Sequence, residues 1–242
     1  MEEALTPEQF RDVWNAKPSL RAVYRDYYRR LEEWSRPGMI VELGAGSGNL
    51  KEAMPEVVAT DIVSVPWLDA VVDAQALPFA DATVDSIVGI DVLHHVQYPV
   101  RFVDEAVRTL KSGGRVVLIE PAITPVSRIV FRVGHPEPVD LRADPLADGA
   151  PDRDKHPMDS NQALPTLLAG RHRTRVEQRF PDLRLLCHEH LSLAAYPLSG
   201  GFRSWNLVPT RAVGAFLRME ATLAPLLGPL MGFRLLLVYE RR

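Results

Sequence analysis

The residues best suited to bind a ligand are one acidic residue and three glycines. Glu42 follows a short apolar run, and the glycines come after it at alternate positions, as Gly44, Gly46 and Gly48. The apolar run predicts a buried strand, and the glycines predict a sharp turn into a helix. Glycine at such a turn frees the backbone angles and lets a ligand approach the main chain. A turn of this kind, after the first strand of an α/β sheet, binds nucleotide-like cofactors.

The spacing and charge of this turn select among such cofactors. A dinucleotide site needs G-x-G-x-x-G, and Asn49 stands where the last glycine should be. No G-K-[ST] follows, which excludes a phosphate-binding P-loop. Glu42 would repel a pyrophosphate but suits a ligand that carries positive charge. S-adenosylmethionine has a sulfonium and an ammonium and no phosphate, so it fits the turn.

Four further segments extend the pattern, and together the five resemble the motifs of class I S-adenosylmethionine-dependent methyltransferases. The first motif of that family, E/D-x-G-x-G-x-G, is similar to residues 42–48. The others follow in the family's order at residues 57–61, 73–79, 85–96 and 110–114. Ser112 replaces a proline of the last motif. The resemblance covers about residues 38 to 121, and it is strongest to the subgroup of quinone-biosynthesis and small-molecule methyltransferases.

The resemblance implies a cofactor contact for each motif. Glu42 is expected near the methionine ammonium, and Asp61 at both ribose hydroxyls. Ile62 is expected to pack on the adenine, and Asp73 to accept a hydrogen bond from its amino group. The remaining cofactor-binding residues that we predict are Gly44, Ala45, Gly46, Gly48, Ala74 and Asp91.

The turn after the fourth predicted strand is expected to face the methyl group. Methyl transfer from a sulfonium is an in-line displacement, so alignment in a dry site supplies much of the catalysis. A general base is needed only if the acceptor must lose a proton. His95, ahead of His94, is the predicted catalytic base. The alternative is that it only packs or forms a hydrogen bond beside the cofactor.

Residues outside these motifs are expected to form the acceptor side. An aromatic stripe at helical spacing lies in the N-terminal segment, and its alternative role is to pack on the sheet. Residues 196–205 predict a mobile loop over the acceptor site, and the alternative is ordinary loop packing. The substrate-binding residues that we predict are Tyr24, Tyr28, His135, Tyr196, Arg203 and Trp205. Metal-ligand residue types occur around His135, but their spacing fits no standard zinc pattern, so no metal is predicted.

Composition limits the classes of partner. The net charge of −3 argues against nucleic acid as the main partner. The basic run Arg171–Arg175 leaves RNA open as an alternative. A single cysteine, Cys187, cannot form an internal disulfide, which indicates a reducing, cytoplasmic setting. We expect no signal peptide and no membrane span of ~20 apolar residues, and a homodimer is possible.

Alternating strands and helices predict an α/β fold with a doubly wound sheet. The resemblance implies a Rossmann-like sheet of seven strands, with strands 1–6 parallel, strand 7 antiparallel and helices on both faces. We predict strands at about 39–43, 56–61, 70–73, 84–90, 115–120, 183–194 and 233–240. We predict a helix at about 99–111. The predicted parts are an N-terminal helical lid (1–37), a cofactor-binding half (38–121), a substrate-side insertion (122–182) and a C-terminal part of the same domain (183–242).

The sequence therefore predicts a methyltransferase that uses S-adenosylmethionine and acts on a small, partly apolar metabolite. The first alternative is a non-catalytic or regulatory protein that binds the same cofactor on the same fold. The second alternative, a nicotinamide-dependent oxidoreductase, is disfavoured by the glycine spacing.

Overall fold

The structure is a computed structural model that describes residues 5–134, 137–152 and 154–242. Its centre is one seven-stranded sheet. The strands are β1 (Ile40–Leu43), β2 (Val58–Asp61), β3 (Ala70–Val71), β4 (Val84–Ile90), β5 (Leu110–Pro121), β6 (Leu183–Leu191) and β7 (Arg234–Arg241). Their order is β3-β2-β1-β4-β5-β7-β6. β7 runs antiparallel to both neighbours and all other pairs are parallel, which confirms the predicted fold.

Helices cover both faces of this sheet. The α-helices are α1 (Pro7–Ala16), α2 (Pro18–Trp34), α3 (Pro99–Thr109), α4 (Pro125–Gly134), α5 (Leu164–Thr166), α6 (Arg173–Arg179), α7 (Ala195–Ser199) and α8 (Thr210–Met231). A π-helical turn, Leu167–Arg171, joins α5 to α6. None of the helices in the described part of the chain is long and apolar enough to cross a membrane.

The N-terminal segment, predicted to be a helical lid, forms the helices α1 and α2. Thr6 caps α1: its hydroxyl accepts from the Gln9 amide, and the Gln9 side chain accepts from the Thr6 amide. α2 then lays its apolar stripe on one face of the sheet, where Leu20 and Tyr27 are buried in one cluster with Val117. The predicted stripe therefore packs on the sheet.

The opposite face is covered by α3. Phe102 and Val103 of α3 pack in the core of that face with Leu118. The helix ends at Thr109, earlier than predicted, because Leu110 already pairs with Val84 in the sheet. For the same reason β5 begins at Leu110, five residues before its predicted start at Arg115.

The predicted helices among the first three strands were wrong. The glycine turn leads only into a short 3₁₀ helix, Asn49–Glu52, and residues 53–69 contain no helix. Leu50 and Met54 pack with Trp14 and Tyr28 of the N-terminal helices. α1 and α2 therefore occupy the sheet face that those helices were expected to cover.

The predicted insertion, residues 122–182, contains α4, α5 and α6. Residues 137–152 and 154–162 have no helix or strand, yet this segment packs on the turn after β4. The Asn161 amide donates to the His94 carbonyl at 2.9 Å, and the Gln162 amide donates to the Pro138 carbonyl at 3.0 Å. These bonds bring Glu137 over the turn.

Candidate active site

One edge of the sheet collects the charged residues of the site. Because β1, β2, β4 and β5 are parallel, their carboxyl ends meet at the same edge. Glu42 and Asp61 lie at the ends of β1 and β2, Asp91 follows β4, and Glu120 lies near the end of β5. β7 runs the other way, so its first residue, Arg234, stands at this edge as well.

The glycine turn has one open side. Gly44, Gly46 and Gly48 have φ angles of +64°, +49° and +73°. A Cβ at Gly44 would lie 2.8 Å from Val92, and one at Gly48 would lie 2.8 Å from Trp67. At Gly46 the nearest atom is the Gly44 carbonyl oxygen, 4.0 Å away. Gly46 therefore has the space beside it that a ligand needs.

Asp61 and Trp67 hold the turn in place. One Asp61 carboxylate oxygen accepts from the Gly46 amide at 2.8 Å, and the other accepts from the Val63 amide at 2.9 Å. The Trp67 indole nitrogen donates to the Gly46 carbonyl at 2.9 Å, and the Arg11 guanidinium lies 4.4 Å from the centre of the indole. We did not predict Trp67. Its signal in the sequence was a proline–tryptophan pair in the loop after the second strand.

Glu42 is a buried carboxyl group that lacks a full set of partners. Its side chain is 7% exposed, and its Oε2 has no hydrogen-bond partner among the described residues. Burial raises the pKa of Glu42 to about 8, and the nearby charge of Asp61 raises it further. A cationic ligand group here would stabilise the ionised form, since an unpaired buried charge is costly.

The residues predicted to border an adenine lie beside the turn. Ile62 is 52% exposed and so offers free apolar surface next to Asp61. Asp73 accepts from the Gln75 amide at 2.8 Å, and Ala74 is buried. Ile62 follows Asp61, which accepts from the Gly46 amide, and Asp73 follows Val72, whose amide donates to the Asp61 carbonyl at 2.8 Å. The contact of these residues with an adenine stays a prediction.

Glu120 organises the turn after β4, and we did not predict it. Its Oε1 accepts from the amides of Val92 and Leu93, at 2.9 and 2.7 Å. Its Oε2 lies 2.8 Å from Nδ1 of His94, whose Nε2 is 3.5 Å from Glu137. Burial lowers the pKa of His94, but the hydrogen bonds with both carboxylates outweigh it and raise the pKa to about 9. His94 thus lies between two carboxylates, one at each ring nitrogen.

His95, the predicted base, stacks beside this group. Its ring centre is 4.2 Å from that of His94, and its Nδ1 is buried without a hydrogen-bond partner among the described residues. Burial lowers the pKa of His95 to about 4, and the charge on His94 adds to the effect. The imidazole is neutral at neutral pH and a weaker base than an ordinary histidine, so its catalytic role stays a prediction.

Asp91 is engaged with Arg234 in an ion pair. Its backbone lies in the left-handed region, at φ +58°, which turns its side chain toward β7. The Arg234 guanidinium also stacks 4.2 Å from the centre of the Tyr196 ring. Burial raises the pKa of Asp91, and the charge of Arg234 opposes the effect. The predicted contact of Asp91 with the cofactor is untested, and sequence analysis missed Arg234.

Aromatic rings complete this edge. Tyr24 is buried, with its ring centre 6.5 Å from Tyr196 and 5.7 Å from Phe202. Tyr28 is buried as well, and its pKa is raised by burial and then by the charge of Glu42. The structure thus brings Tyr24, Tyr28 and Tyr196 together.

The loop that carries the other predicted substrate residues is tied to the N-terminal helices. Lys17 Nζ donates to the carbonyls of Gly201, Arg203 and Trp205 at 2.7, 2.6 and 2.8 Å. The side chains of Arg203 and Trp205 are exposed. His135, the last predicted substrate residue, lies outside the described residues.

Comparison with known proteins identifies the part of the chain that carries the glycine turn. Residues 41–118 match the family described as a methyltransferase domain. This part of the chain is a class I S-adenosylmethionine-dependent methyltransferase domain. Its cofactor is S-adenosylmethionine. Among curated proteins, none matches the sequence.

Solved structures share the fold of the methyltransferase domain and of most of the chain. An S-adenosylmethionine-dependent methyltransferase from Archaeoglobus fulgidus is 14% identical with a TM-score of 0.54, over 92% of this chain and 94% of that one. A second structure is geranyl diphosphate C-methyltransferase from Streptomyces coelicolor A3(2), in complex with Mg²⁺, geranyl diphosphate and S-adenosylhomocysteine. It is 15% identical with a TM-score of 0.50, over 90% of this chain and 77% of that one. The [4+2]-cyclase SpnF is 14% identical with a TM-score of 0.50, over 89% of this chain and 80% of that one.

These similarities show a shared fold. The fit of the methyltransferase domain to its cofactor follows from its own geometry. Glu42 is a buried carboxyl group with an unpartnered oxygen, which suits a ligand with an ammonium and a sulfonium. Gly46 offers open space at the turn, and Ile62 offers apolar surface beside it.

Proposed function

We propose that the protein transfers the methyl group of S-adenosylmethionine to a small, partly apolar metabolite. The observation that carries this proposal is the buried, unpartnered carboxyl oxygen of Glu42 beside the open side of Gly46. When bound, the cofactor supplies an electrophilic methyl group on a sulfonium. The residues around it bind, orient and exclude water.

We assign the cofactor contacts as follows. Glu42 faces the ammonium, and Gly46 is the position at which the main chain lies close to the cofactor. Asp61 accepts from the ribose hydroxyls, since each of its oxygens accepts only one backbone hydrogen bond in the structure and so keeps a lone pair. Ile62 packs on the adenine, and Asp73 with Ala74 borders its edge.

The aromatic rings argue for a partly apolar acceptor. Tyr24, Tyr28 and Tyr196 are packed together near Glu42 and Asp91, so the surroundings of the site are aromatic as well as polar. The geranyl diphosphate methyltransferase named above also acts on a partly apolar molecule, but similarity in fold does not carry its substrate to this chain.

The basic run supports a small acceptor over RNA. Arg173 pairs with Glu177 at 2.7 Å, and Arg175 pairs with Asp144 at 3.0 Å. These charges are therefore matched locally and do not form a free basic face, which phosphate binding requires. A cytoplasmic location belongs to the same proposal.

Two matched glycine variants test the cofactor site. Gly46 and Gly113 both have positive φ angles, and neither has a neighbour closer than 4.0 Å to an added Cβ. Gly46→Ala and Gly113→Ala therefore carry similar backbone strain. We expect only Gly46→Ala to weaken S-adenosylhomocysteine binding in calorimetry, by at least tenfold, because its methyl group occupies the ligand's approach.

Equal binding by the two variants and the wild type would contradict this assignment. A single-turnover assay with radiolabelled S-adenosylmethionine and a panel of small acceptors then tests transfer. Cofactor binding without transfer to any acceptor would favour the non-catalytic alternative.

A further inference from the structure

Three side chains with metal-binding atoms converge beside the glycine turn. His94 and His95 lie on the turn after β4, and Glu137 comes from the insertion. One ligand atom of each lies within 4.8 Å of those of the other two. The sequence has metal-ligand residue types around His135, but their spacing predicted no metal, because only the fold brings Glu137 back onto the turn after β4.

His94 is oriented by a carboxylate, as metal-binding histidines commonly are. Glu120 fixes its Nδ1 at 2.8 Å, and two backbone amides fix Glu120 in turn. A carboxylate on one ring nitrogen orients the imidazole and leaves the other nitrogen for a metal ion. That other nitrogen, Nε2, faces Glu137 at 3.5 Å.

His95 supplies a second, independent observation. Its Nδ1 is buried and has no hydrogen-bond partner among the described residues. Buried polar atoms without partners are uncommon, and each needs a physical explanation. A metal ion bound by the imidazoles and the carboxylate would provide one.

Glu137 is also held in position. Ser160 donates to its Oε2 at 2.8 Å, and the Gln162 side chain donates to the same oxygen. The next residue along the chain from Ser160, Asn161, donates its amide to the His94 carbonyl. Asn161 thus fastens the insertion to the turn after β4, and the residues on either side of it in the chain hold Glu137.

We propose that His94, His95 and Glu137 form a binding site for a divalent transition-metal ion, with Zn²⁺ as the ion that fits best. Two imidazoles and one carboxylate make a ligand set that zinc accepts, and it leaves a fourth position open. Ligand atoms around a tetrahedral zinc ion lie about 3.4 Å apart at the usual bond lengths. His94 and Glu137 lie 3.5 Å apart, close to that spacing. The other ligand atoms lie within 4.8 Å of one another, so movements of up to about 1.4 Å would close the site.

The open position would give a bound metal ion a role beside the glycine turn. Val92, on the same turn, packs against Gly44 of the cofactor turn. A hydroxyl oxygen of the acceptor bound to the ion would be polarised, and its pKa would be lowered. This role rests on the proposed function, whereas the metal site itself does not.

Metal binding is tested on the full chain after EDTA treatment and dialysis. Zn²⁺ is titrated against a chelating dye, and Co²⁺ is added in parallel to record its visible absorption. We expect one tight equivalent in the wild type. Glu137→Gln and His95→Gln should each weaken Zn²⁺ binding at least tenfold, and Glu120→Gln, which loses an orienting contact, by about 10–100-fold.

His188→Gln is the matched control. His188 and His190 lie on β6 with ring centres 5.6 Å apart, so they are a histidine pair outside the site that could bind zinc adventitiously. The control should bind Zn²⁺ like the wild type. Thermal melts show whether each variant is folded, and His95→Gln serves if Glu137→Gln is not.

Three outcomes overturn the site: no tight equivalent in the wild type, unchanged binding in both ligand variants, or binding lost in His188→Gln. Zinc binding without any binding of S-adenosylhomocysteine would support the metal site and overturn only the proposed function.

Discussion

Glu42 combines two properties that a binding residue has and a purely structural one lacks. It is buried, and one of its oxygens has no partner among the described residues, so the folded protein holds it at a cost. A cationic ligand would remove that cost. Stability of the free protein and affinity for the ligand should therefore respond in opposite directions to the same substitution.

Glu42→Gln is expected to weaken S-adenosylhomocysteine binding about tenfold to hundredfold, since it removes a charged partner of the ammonium. The same change should raise the melting temperature of the free protein at pH 9, because the amide has no charge to desolvate. Calorimetry and thermal melts measure the two effects. Glu56→Gln, at an exposed position, is the control and should change neither. A loss of both affinity and stability would contradict the assignment.

The pH dependence of stability follows from the same residue. The pKa of Glu42 is about 8 in the folded protein and near 4.5 when unfolded, so the folded state holds the extra proton between these values. Its contribution to the free energy of unfolding therefore decreases as pH rises from about 4.5 to 8. Urea unfolding of wild type and Glu42→Gln at pH 6 and pH 9 isolates this contribution. The wild type should lose more stability than the variant over this interval.

At the scale of elements, Lys17 is the link between the N-terminal helices and the loop at 201–205. One ammonium donates to three carbonyls, and the residue is 8% exposed. The position between α1 and α2 thus fixes a loop far along the chain, next to the rings of Tyr24 and Phe202.

Lys17→Met should lower stability by about 2–4 kcal/mol, because three carbonyls lose a charged donor. For a chain of this length that corresponds to a melting temperature lower by roughly 5–15 °C. Limited proteolysis should also cut the loop sooner. Lys51→Met is the control, since Lys51 forms only a partly exposed pair with Asp69 and should cost at most ~1 kcal/mol. Equal effects from the two variants would show that the hydrogen bonds of Lys17 do not contribute to the stability of the protein.

The elements also show what sequence could and could not predict. The strands and the glycine turn were predictable because apolar runs and glycines report local structure. The prediction of a helix after the glycine turn was wrong, because Pro55 follows the turn closely and α2 covers that face of the sheet instead. Glu120 and Arg234 were missed for a different reason: each gains its role only when distant strands meet at one edge of the sheet. Their sequence neighbourhoods carry no signal of that meeting.

At the scale of the whole molecule, cofactor binding should appear as thermal stabilisation. A ligand at 100 times its dissociation constant stabilises the folded state by about 2.7 kcal/mol, which should raise the melting temperature by roughly 5–11 °C. We expect this shift with S-adenosylmethionine and S-adenosylhomocysteine. NADH serves as the control, and a shift with NADH alone would favour the oxidoreductase alternative.

The hydrogen bond from Trp67 to the glycine turn should make the intrinsic fluorescence of the protein sensitive to ligand binding. Of the four tryptophans, all of which are described, Trp67 is the one whose indole donates to Gly46. Its fluorescence should therefore change when the turn takes up a ligand, with no dye or label attached. Trp67→Phe would remove most of that signal and leave Trp14, Trp34 and Trp205 as a constant background. Association and release of the cofactor could then be followed in real time by stopped flow.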